Sequence, residues 1–218
     1  MKNVVLLLFG VILFSSCEKG GPLESGQENL SQRLMAIQNS VASLPLESLE
    51  PAEKERILFI REEEKLAYDV YQTLFDQYGV KIFQNIPNSE LSHMEAMLII
   101  IKKYQLVDPM DTHPRGVFTD PVLQSLYNAL VGQGHVSLLA AYQVGAKIEE
   151  LDIYDLNKSI ALTNNQDVKL VYDFLNKGSR NHLRSFYKNL VNAGGAYSPV
   201  YISTSEFNAI VTTPTEKL

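Results

Sequence analysis

The sequence has 218 residues, of which 45% are hydrophobic and 20% are charged, and its formal net charge is −6. This length and composition are typical of one globular domain with a hydrophobic core. The acidic balance excludes the broad basic surface that nucleic-acid-binding proteins use, so we expect no nucleic-acid partner.

The first 17 residues differ in character from the rest of the chain. Lys2 precedes an apolar run at residues 4–14, and two serines and Cys17 follow. A positive start, a short apolar run and small residues are typical of a secretory signal, and a membrane-spanning helix needs about 20 apolar residues. Cys17 is the only cysteine, which excludes an internal disulfide.

The residues before Cys17 resemble the lipobox of bacterial lipoproteins, in which the cysteine thiol is lipidated. That resemblance implies a signal peptide at 1–16, a lipid on Cys17 that contacts the membrane, and a location in the cell envelope. Glu18 is not the Asp associated with inner-membrane retention, which favours the outer membrane, facing the periplasm or the exterior. An ordinary cleaved signal with an unmodified cysteine is the alternative.

The chain after the leader is predicted to consist of helices joined by loops. Residues 17–48 are predicted to carry a flexible tether and a candidate short helix at 30–41. Pro51 is a favourable first helical residue, and apolar residues every three or four positions continue until Gly79, which predicts helix A. Helix B is predicted to begin within 83–88 and to end near Tyr104.

The second half of the chain continues this pattern. A proline- and glycine-containing loop is predicted at 106–119, followed by a short helix from Asp120-Pro121 to about Gly132. Helices C and D are predicted at 135–156 and 167–192, with an extended piece at 200–203 and a tail at 211–218. The fold class is therefore all-α, with four long helices within a domain at 49–210 and a short additional helix in the crossover between helices B and C.

Helices A and B each bring acids or a histidine to an apolar face. On helix A, three consecutive glutamates interrupt the apolar row, and spacing alone leaves both Glu63 and Glu64 open as the inward-facing residue. On helix B, Glu90 and His93 lie one turn apart, and His93 continues a row of apolar residues.

Helices C and D show the same feature. Glu149 and Asp152 lie in an apolar row of helix C, although Glu150 remains an alternative to Glu149. On helix D, His182 lies in a row of apolar residues. All four long helices are therefore predicted to direct a carboxylate or an imidazole into the core.

Buried ionised carboxylates need partners, because an unpaired buried charge is strongly destabilising. One arrangement satisfies all four helices together, namely a dinuclear metal centre held by glutamates and by Glu-x-x-His pairs. The candidate ligands are the acids and histidines that lie on these apolar faces: Glu64, Glu90, His93, Glu149 and His182, with Asp152 as a sixth. Oxygen and imidazole ligands suit iron, with manganese or zinc as further candidates.

Four blocks of sequence resemble a microbial domain-of-unknown-function family of the ferritin-like superfamily: REEEKLAYDVY at 61–71, NIPNSELSHM at 85–94, VGAKIEELDIYDL at 144–156 and VYDFLNKGSRNHLRSF at 171–186. The resemblance implies a ferritin-like four-helix bundle and no particular activity. In rubrerythrin-like relatives, an Ala and a Tyr follow the helix A glutamate at plus three and plus seven, which favours Glu64 over Glu63. The relatives carry Glu-x-x-His on helix D, whereas this chain has Ser179 in place of that Glu. Asp152 is the candidate to replace the missing oxygen ligand; the alternatives are a site that holds a single metal and a site that holds a second metal loosely.

Two functions follow as hypotheses. The first is an envelope-anchored protein that binds a di-iron or mononuclear centre and reacts ferrous iron with dioxygen or peroxide, with no catalytic residue assigned. The second is a metal-free helical lipoprotein that acts as a binding or structural module. In the second, the buried acids pair with His93, His182 or one of three arginines: Arg61, Arg180 and Arg184.

Overall fold

The computed structural model of the chain describes residues 22–110 and 113–217, with side chains from residue 31 onward. The described part is helical and contains no strand. The proposed signal peptide and Cys17 lie outside the described residues. None of the helices described is long and apolar enough to cross a membrane.

Seven helices follow one another along the described chain: α1 Pro22–Ser43, α2 Pro51–Tyr78, α3 Lys81–Lys103, α4 Pro121–Gly134, α5 Leu138–Leu162, α6 Gln166–Asn192 and α7 Thr204–Val211. The all-helical prediction is confirmed. Predicted helices A, B, C and D correspond to α2, α3, α5 and α6, and the predicted short crossover helix corresponds to α4.

The helix ends follow local chemistry. Glu50 and Glu53 form a capping box before α2, and Gly79 ends that helix with a positive φ of 63°. Asp120 accepts hydrogen bonds from the backbone N–H groups of Val122 and Leu123, which starts α4 where the sequence predicts it.

Several predicted boundaries are wrong. Helix α3 begins at Lys81 and contains Pro87 in its interior, earlier than the predicted start within 83–88. Helix α5 begins three residues later than predicted and continues to Leu162 instead of 156. Helix α1 spans Pro22–Ser43, so residues 22–29 are helical, whereas the sequence predicted a flexible tether there.

The end of the chain also differs from the prediction. Helix α7 was not predicted, and Ser203 starts it by accepting a hydrogen bond from the backbone N–H of Glu206. Residues 200–203 precede this helix as an irregular segment and not as a strand.

The helices pack in a definite pattern. Helix α2 packs on α3 and α5, and α6 packs on α3 and α5, while α4 covers α2 and α5. Helix α1 lies on α3 and α6, and α7 lies on α6. Close approach of α5 and α6 depends on Gly145, because a Cβ there would stand 2.4 Å from the Phe186 ring.

The hydrophobic core consists of two separate clusters of buried side chains. One contains Tyr71, Phe83 and Phe186, and the other contains Met97 and Tyr172. On α2, α3 and α6, the boundary between the clusters coincides with buried polar residues. A polar layer therefore crosses the middle of the helical domain, and the site described below occupies it.

Candidate metal centre

Five of the six predicted ligands meet in the polar layer. They come from four helices: Glu64 from α2, Glu90 and His93 from α3, Glu149 from α5 and His182 from α6. The first four side chains are almost fully buried, and His182 is 8% exposed. The predicted convergence of the four helices therefore occurs around one point.

Glu90 is the centre of the arrangement. Its Oε2 lies 2.9 Å from Nδ1 of His93, and its Oε1 lies 2.8 Å from Nδ1 of His182. Glu64 completes one group through an Oε2 to Nδ1 distance of 3.0 Å to His93. Glu149 completes the other through an Oε2 to Nδ1 distance of 3.3 Å to His182.

These contacts form two groups of three that share Glu90. In each group, the potential ligand atoms all lie within 4.8 Å of one another. One group is Glu64, Glu90 and His93, and the other is Glu90, Glu149 and His182. A carboxylate with one oxygen in each of two neighbouring groups is the geometry that bridges two metal ions.

Hydrogen bonding does not account for most of these contacts. His93 and Glu64 meet hydrogen-bond geometry. In contrast, both oxygens of Glu90, Oε2 of Glu149 and Nδ1 of His182 are buried without any hydrogen-bond partner among the described residues. Unsatisfied buried polar atoms are rare in native proteins and require an explanation. The nitrogen and oxygen atoms of these pairs lie 2.8–3.3 Å apart, yet the pairs do not meet hydrogen-bond geometry.

Two neighbours fix the orientation of the ligands. Tyr71 donates a hydrogen bond of 2.5 Å from its hydroxyl to Oε1 of Glu149, which leaves Oε2 for His182. Gly178 on α6 lies against Nε2 of His93, where a Cβ would stand only 2.2 Å from that nitrogen. The glycine in mid-helix therefore provides the space that the His93 ring occupies.

Charge is concentrated at the site. Burial lowers the pKa of a histidine, but Glu64 and Glu90 outweigh burial and raise the pKa of His93 to about 9. The pKa of His182 is likewise raised, against burial, by Glu90 and Glu149. Burial raises the pKa of Glu90, yet the two imidazoles together outweigh burial and lower it. Burial raises the pKa of Glu149 to about 7. The metal-free site therefore holds protons that a cation would displace.

Asp152, the sixth predicted ligand, lies beside the cluster and is not part of either group of three. Its side chain is 1% exposed, and both of its oxygens lack a hydrogen-bond partner among the described residues. Burial raises the pKa of Asp152 well above its usual value, and the next largest causes are Glu63 and Glu64.

All three consecutive glutamates of α2 are buried, and each has a different neighbour. Glu62 accepts hydrogen bonds from the backbone N–H groups of Thr119 and Asp120, at 2.5 and 3.0 Å. Glu64 belongs to the cluster. Glu63 belongs to neither group of three, and after burial Asp155 is the largest cause that raises the pKa of Glu63. The structure therefore brings Glu64, and not Glu63, to the cluster.

Glu150 has a separate role from Glu149. Its Oε1 accepts hydrogen bonds from the backbone N–H groups of Val200, Tyr201 and Ile202, and its Oε2 accepts one from the Tyr197 hydroxyl. This carboxylate anchors the segment before α7. The roles of Glu62 and Glu150 were missed by the sequence analysis, because their partners are backbone groups distant in the chain.

The three arginines of the metal-free hypothesis are engaged outside the cluster. Arg61 pairs with Asp108 at 2.9 Å and donates to the backbone of α3. Arg180 and Arg184 both pair with Glu216 near the end of the chain. The cationic partners that contact the cluster acids are therefore the two histidines.

The model of an uncharacterised protein domain, DUF2202, matches residues 53–214, which is most of the chain and nearly all of the helical domain. The chain belongs to the DUF2202 family. The match begins at the third residue of α2 and extends past the end of α7, so all five clustered residues lie within the DUF2202 domain.

A relative from the archaeon Methanocaldococcus jannaschii, the uncharacterised protein MJ0754, is 46% identical over 177 residues, which are 81% of this chain and 96% of the relative. The crystal structure of the hypothetical protein MJ0754 superposes with a TM-score of 0.78 and covers 79% of this chain and 99% of that chain. The DUF2202 domain of this protein is thus similar in fold to a solved structure.

Proposed function

We propose that the DUF2202 domain is a ferritin-like four-helix bundle that binds two metal ions, with iron as the metal, between Glu64, Glu90, His93, Glu149 and His182. Glu90 would contribute one oxygen to each ion, and one histidine and one further glutamate would help to hold each ion. Asp152, which lies three residues after Glu149 on α5 and has two buried oxygens without a partner among the described residues, is the candidate for an additional oxygen ligand.

The observation that carries the proposal is the pair of contacts made by Glu90. Each of its oxygens lies beside a different imidazole nitrogen, and neither oxygen has a hydrogen-bond partner among the described residues. A network that existed to pair buried charges would satisfy these atoms, because leaving a buried charged group without a hydrogen bond costs about 1–3 kcal/mol or more. Coordination of a shared cation accounts for their arrangement.

The spacing of the atoms is also suitable for a metal. Two ligand atoms that each lie about 2.1 Å from one ion, and about 90° apart, are about 3.0 Å from each other. The nitrogen–oxygen distances from 2.8 to 3.3 Å are close to this value. The spacing of these atoms therefore supports a shared ion in each group.

The arrangement of the helices supports the ferritin-like bundle. Tyr71 contacts Phe83 while Glu64 contacts His93, so α2 and α3 run antiparallel. Glu149 lies beside His182, and the long connection from α3 to α5 contains α4. Four helices that direct Glu and His side chains inward, with one long crossover, are features of ferritin-like proteins.

Iron bound at this site would supply redox chemistry, which we propose is a reaction with dioxygen or peroxide. The chain contributes burial, which excludes water from Glu90 and His93, and a tyrosine hydroxyl that orients Glu149. The carboxylates balance the positive charge of the ions. The donor set of oxygens and imidazole nitrogens is also suitable for manganese or zinc.

We also propose that Cys17 carries a lipid that holds the domain at the cell envelope, on the outer membrane. Support comes from the leader sequence described above. A Cys17→Ser variant of the full chain is expected to move from the membrane fraction to the soluble fraction, and an unchanged distribution would contradict the anchor.

A metal-free module is the second candidate, and one observation favours it. Nδ1 of His93 and Oε2 of Glu64 form a hydrogen bond of 3.0 Å. Burial lowers the pKa of His93, but Glu64 and Glu90 outweigh burial and raise the pKa to about 9. A protonated imidazole between two glutamates would stabilise the polar layer without a metal.

Elemental analysis decides between the two candidates. The full chain is purified in detergent without chelator, loaded anaerobically with ferrous iron and freed of excess iron. We expect about two irons per chain, and loss of both in a Glu90→Ala, His93→Ala variant. Glu95→Ala, at an exposed position on the same helix, is the matched control and should keep both irons. A wild-type chain that retains no iron would favour the metal-free module.

A further inference from the structure

A groove on the surface lies between α1 and α6, and its volume is about 670 Å³. Ile37 of α1 and Leu170 and Phe174 of α6 are apolar residues of its lining. Helix α1 precedes residues 53–214, so this helix completes the groove from outside the DUF2202 match. Small-molecule sites in proteins commonly have volumes of about 300–1,000 Å³ and mainly apolar linings. The α1–α6 groove therefore has the size and the lining of a small-molecule site.

Phe174 connects this groove to the histidine-containing cluster. Its ring is half-buried and lines the groove. The same ring contacts the His93 ring edge to face, with the two ring centroids 5.6 Å apart. Gly178, which provides the space for His93, lies one turn after Phe174 on α6. A molecule in the α1–α6 groove would therefore be one side chain away from His93, a buried ligand of the proposed metal centre.

The charged residues of the α1–α6 groove are Lys169, Asp173 and Lys177, which follow one another at intervals of one turn along α6. None of the three forms an ion pair with another residue in the described part of the chain. Two lysines and one aspartate leave one net positive charge here, although the formal net charge of the whole chain is −6. An anionic group would therefore find an unpaired cation at the edge of an apolar groove.

A second groove, of about 750 Å³, lies on the other side of α1, against α3, and provides a comparison. Its lining includes two lysines, but Nζ of Lys103 lies 2.6 Å from Oδ2 of Asp167 and donates to three backbone carbonyls. Glu95 balances the charge of the other lysine, Lys102. The α1–α3 groove therefore has a similar size without a net positive charge that is free for a ligand.

We propose that the α1–α6 groove binds an amphipathic carboxylate, a molecule with a hydrocarbon body and one acid group. The hydrocarbon body lies against Ile37, Leu170 and Phe174, where its apolar surface leaves water. The acid group lies beside Lys169 or Lys177. The site is defined by its own residues, and its use as the substrate site of the metal centre rests on the proposed function.

Photoaffinity labelling of the full chain, freed of metal with a chelator and held in a non-ionic detergent, tests this site. The probe is decanoate that carries a diazirine, and mass spectrometry locates the labelled residues. We expect label on the groove residues of α1 and α6, with stronger competition by decanoate than by 1-decanol. A Lys169→Gln, Lys177→Gln variant should be labelled about fivefold less than the wild type, because the acid group loses its cations. Lys102→Gln, in the α1–α3 groove, is the matched control and should be labelled like the wild type.

Three results would overturn the proposal: label spread equally over both grooves or absent from both, equal labelling of the wild type and the double-lysine variant, and equal competition by decanoate and 1-decanol. The last would indicate an apolar groove without a preference for an acid. Because labelling uses the metal-free chain, a chain that is labelled in the α1–α6 groove but binds no iron would contradict the dinuclear centre alone. A chain that binds iron but is not labelled there would contradict this site alone.

Discussion

Nε2 of His93 lies 2.2 Å from the position that a Cβ on Gly178 would occupy. Any side chain at position 178 of α6 would therefore displace His93, a proposed metal ligand on α3. Glycine in a helix interior is less favourable than alanine by about 1 kcal/mol. Its presence between Lys177 and Ser179 is explained by the imidazole and not by the helix.

Gly178→Ala is therefore expected to separate metal binding from folding. The added methyl group should push the His93 ring away from Glu64 and Glu90 and reduce iron affinity by about tenfold or more. Calorimetric titration with ferrous iron measures the change. Gly132→Ala on α4 is the control, because a Cβ there meets nothing within 4 Å. An iron affinity of Gly178→Ala equal to that of Gly132→Ala would show that iron binding does not depend on the position of the His93 ring.

Tyr71 should affect metal binding indirectly, because it orients Glu149. Tyr71→Phe removes the hydroxyl that donates to Oε1 of Glu149, and the carboxylate can then turn away from His182. We expect an affinity loss of about 10–100-fold for the ion at the His182 side, as for other residues that orient metal ligands. Tyr68→Phe, a half-buried position on the same helix, should leave binding unchanged. Equal binding by the two variants would contradict the positioning role.

Glu149 and Glu150 are adjacent and are expected to give opposite results. Glu150→Ala removes the acceptor of three backbone N–H groups before α7 and should lower the free energy of unfolding by about 2–4 kcal/mol. Iron stoichiometry in the folded variant should be unchanged. Glu149→Gln should lose bound iron. Urea denaturation and elemental analysis measure the two properties, and loss of iron in a folded Glu150→Ala protein would contradict the assignment.

Glu216 gives a prediction about pH. Hydrogen bonds from Arg180 are the largest cause that lowers the pKa of Glu216 from 4.5 to about 2, and Arg184 adds to the effect. A carboxyl whose pKa is lowered by folding stabilises the folded state above about pH 4.5, and this contribution is lost as the pH falls toward 2. Glu216→Gln should therefore be less stable than the wild type at pH 7, and the difference in urea midpoint should shrink below pH 4.5. A difference independent of pH would contradict the pairing.

The long helices could be predicted because their signals are local. Apolar residues repeat every three or four positions along α2, and Pro51 and Gly79 mark its ends. The inward rows also predicted which helices contribute to the cluster. In contrast, α7 has only eight residues, too few for a clear repeat, and its start depends on one serine cap.

The choice among neighbouring glutamates could not be made from spacing. Periodicity assumes that a helix has one buried face, but α2 is covered by α3, α4 and α5. All three of its consecutive glutamates are therefore buried, each against a different element. The resemblance to rubrerythrin-like proteins favoured Glu64 over Glu63, and the contact with His93 agrees with that preference. The partners of Glu62, which are backbone N–H groups of Thr119 and Asp120, could not be predicted from spacing.

X-ray diffraction from crystals of the iron-loaded protein, measured at the iron absorption edge, tests the dinuclear centre most directly. We predict two anomalous peaks about 3.5–4 Å apart, one on either side of Glu90, with His93 bound to one ion and His182 to the other. The absence of an anomalous peak between these residues, in crystals soaked in ferrous iron, would contradict the dinuclear centre. The polar layer would then be stabilised by its histidines without a metal.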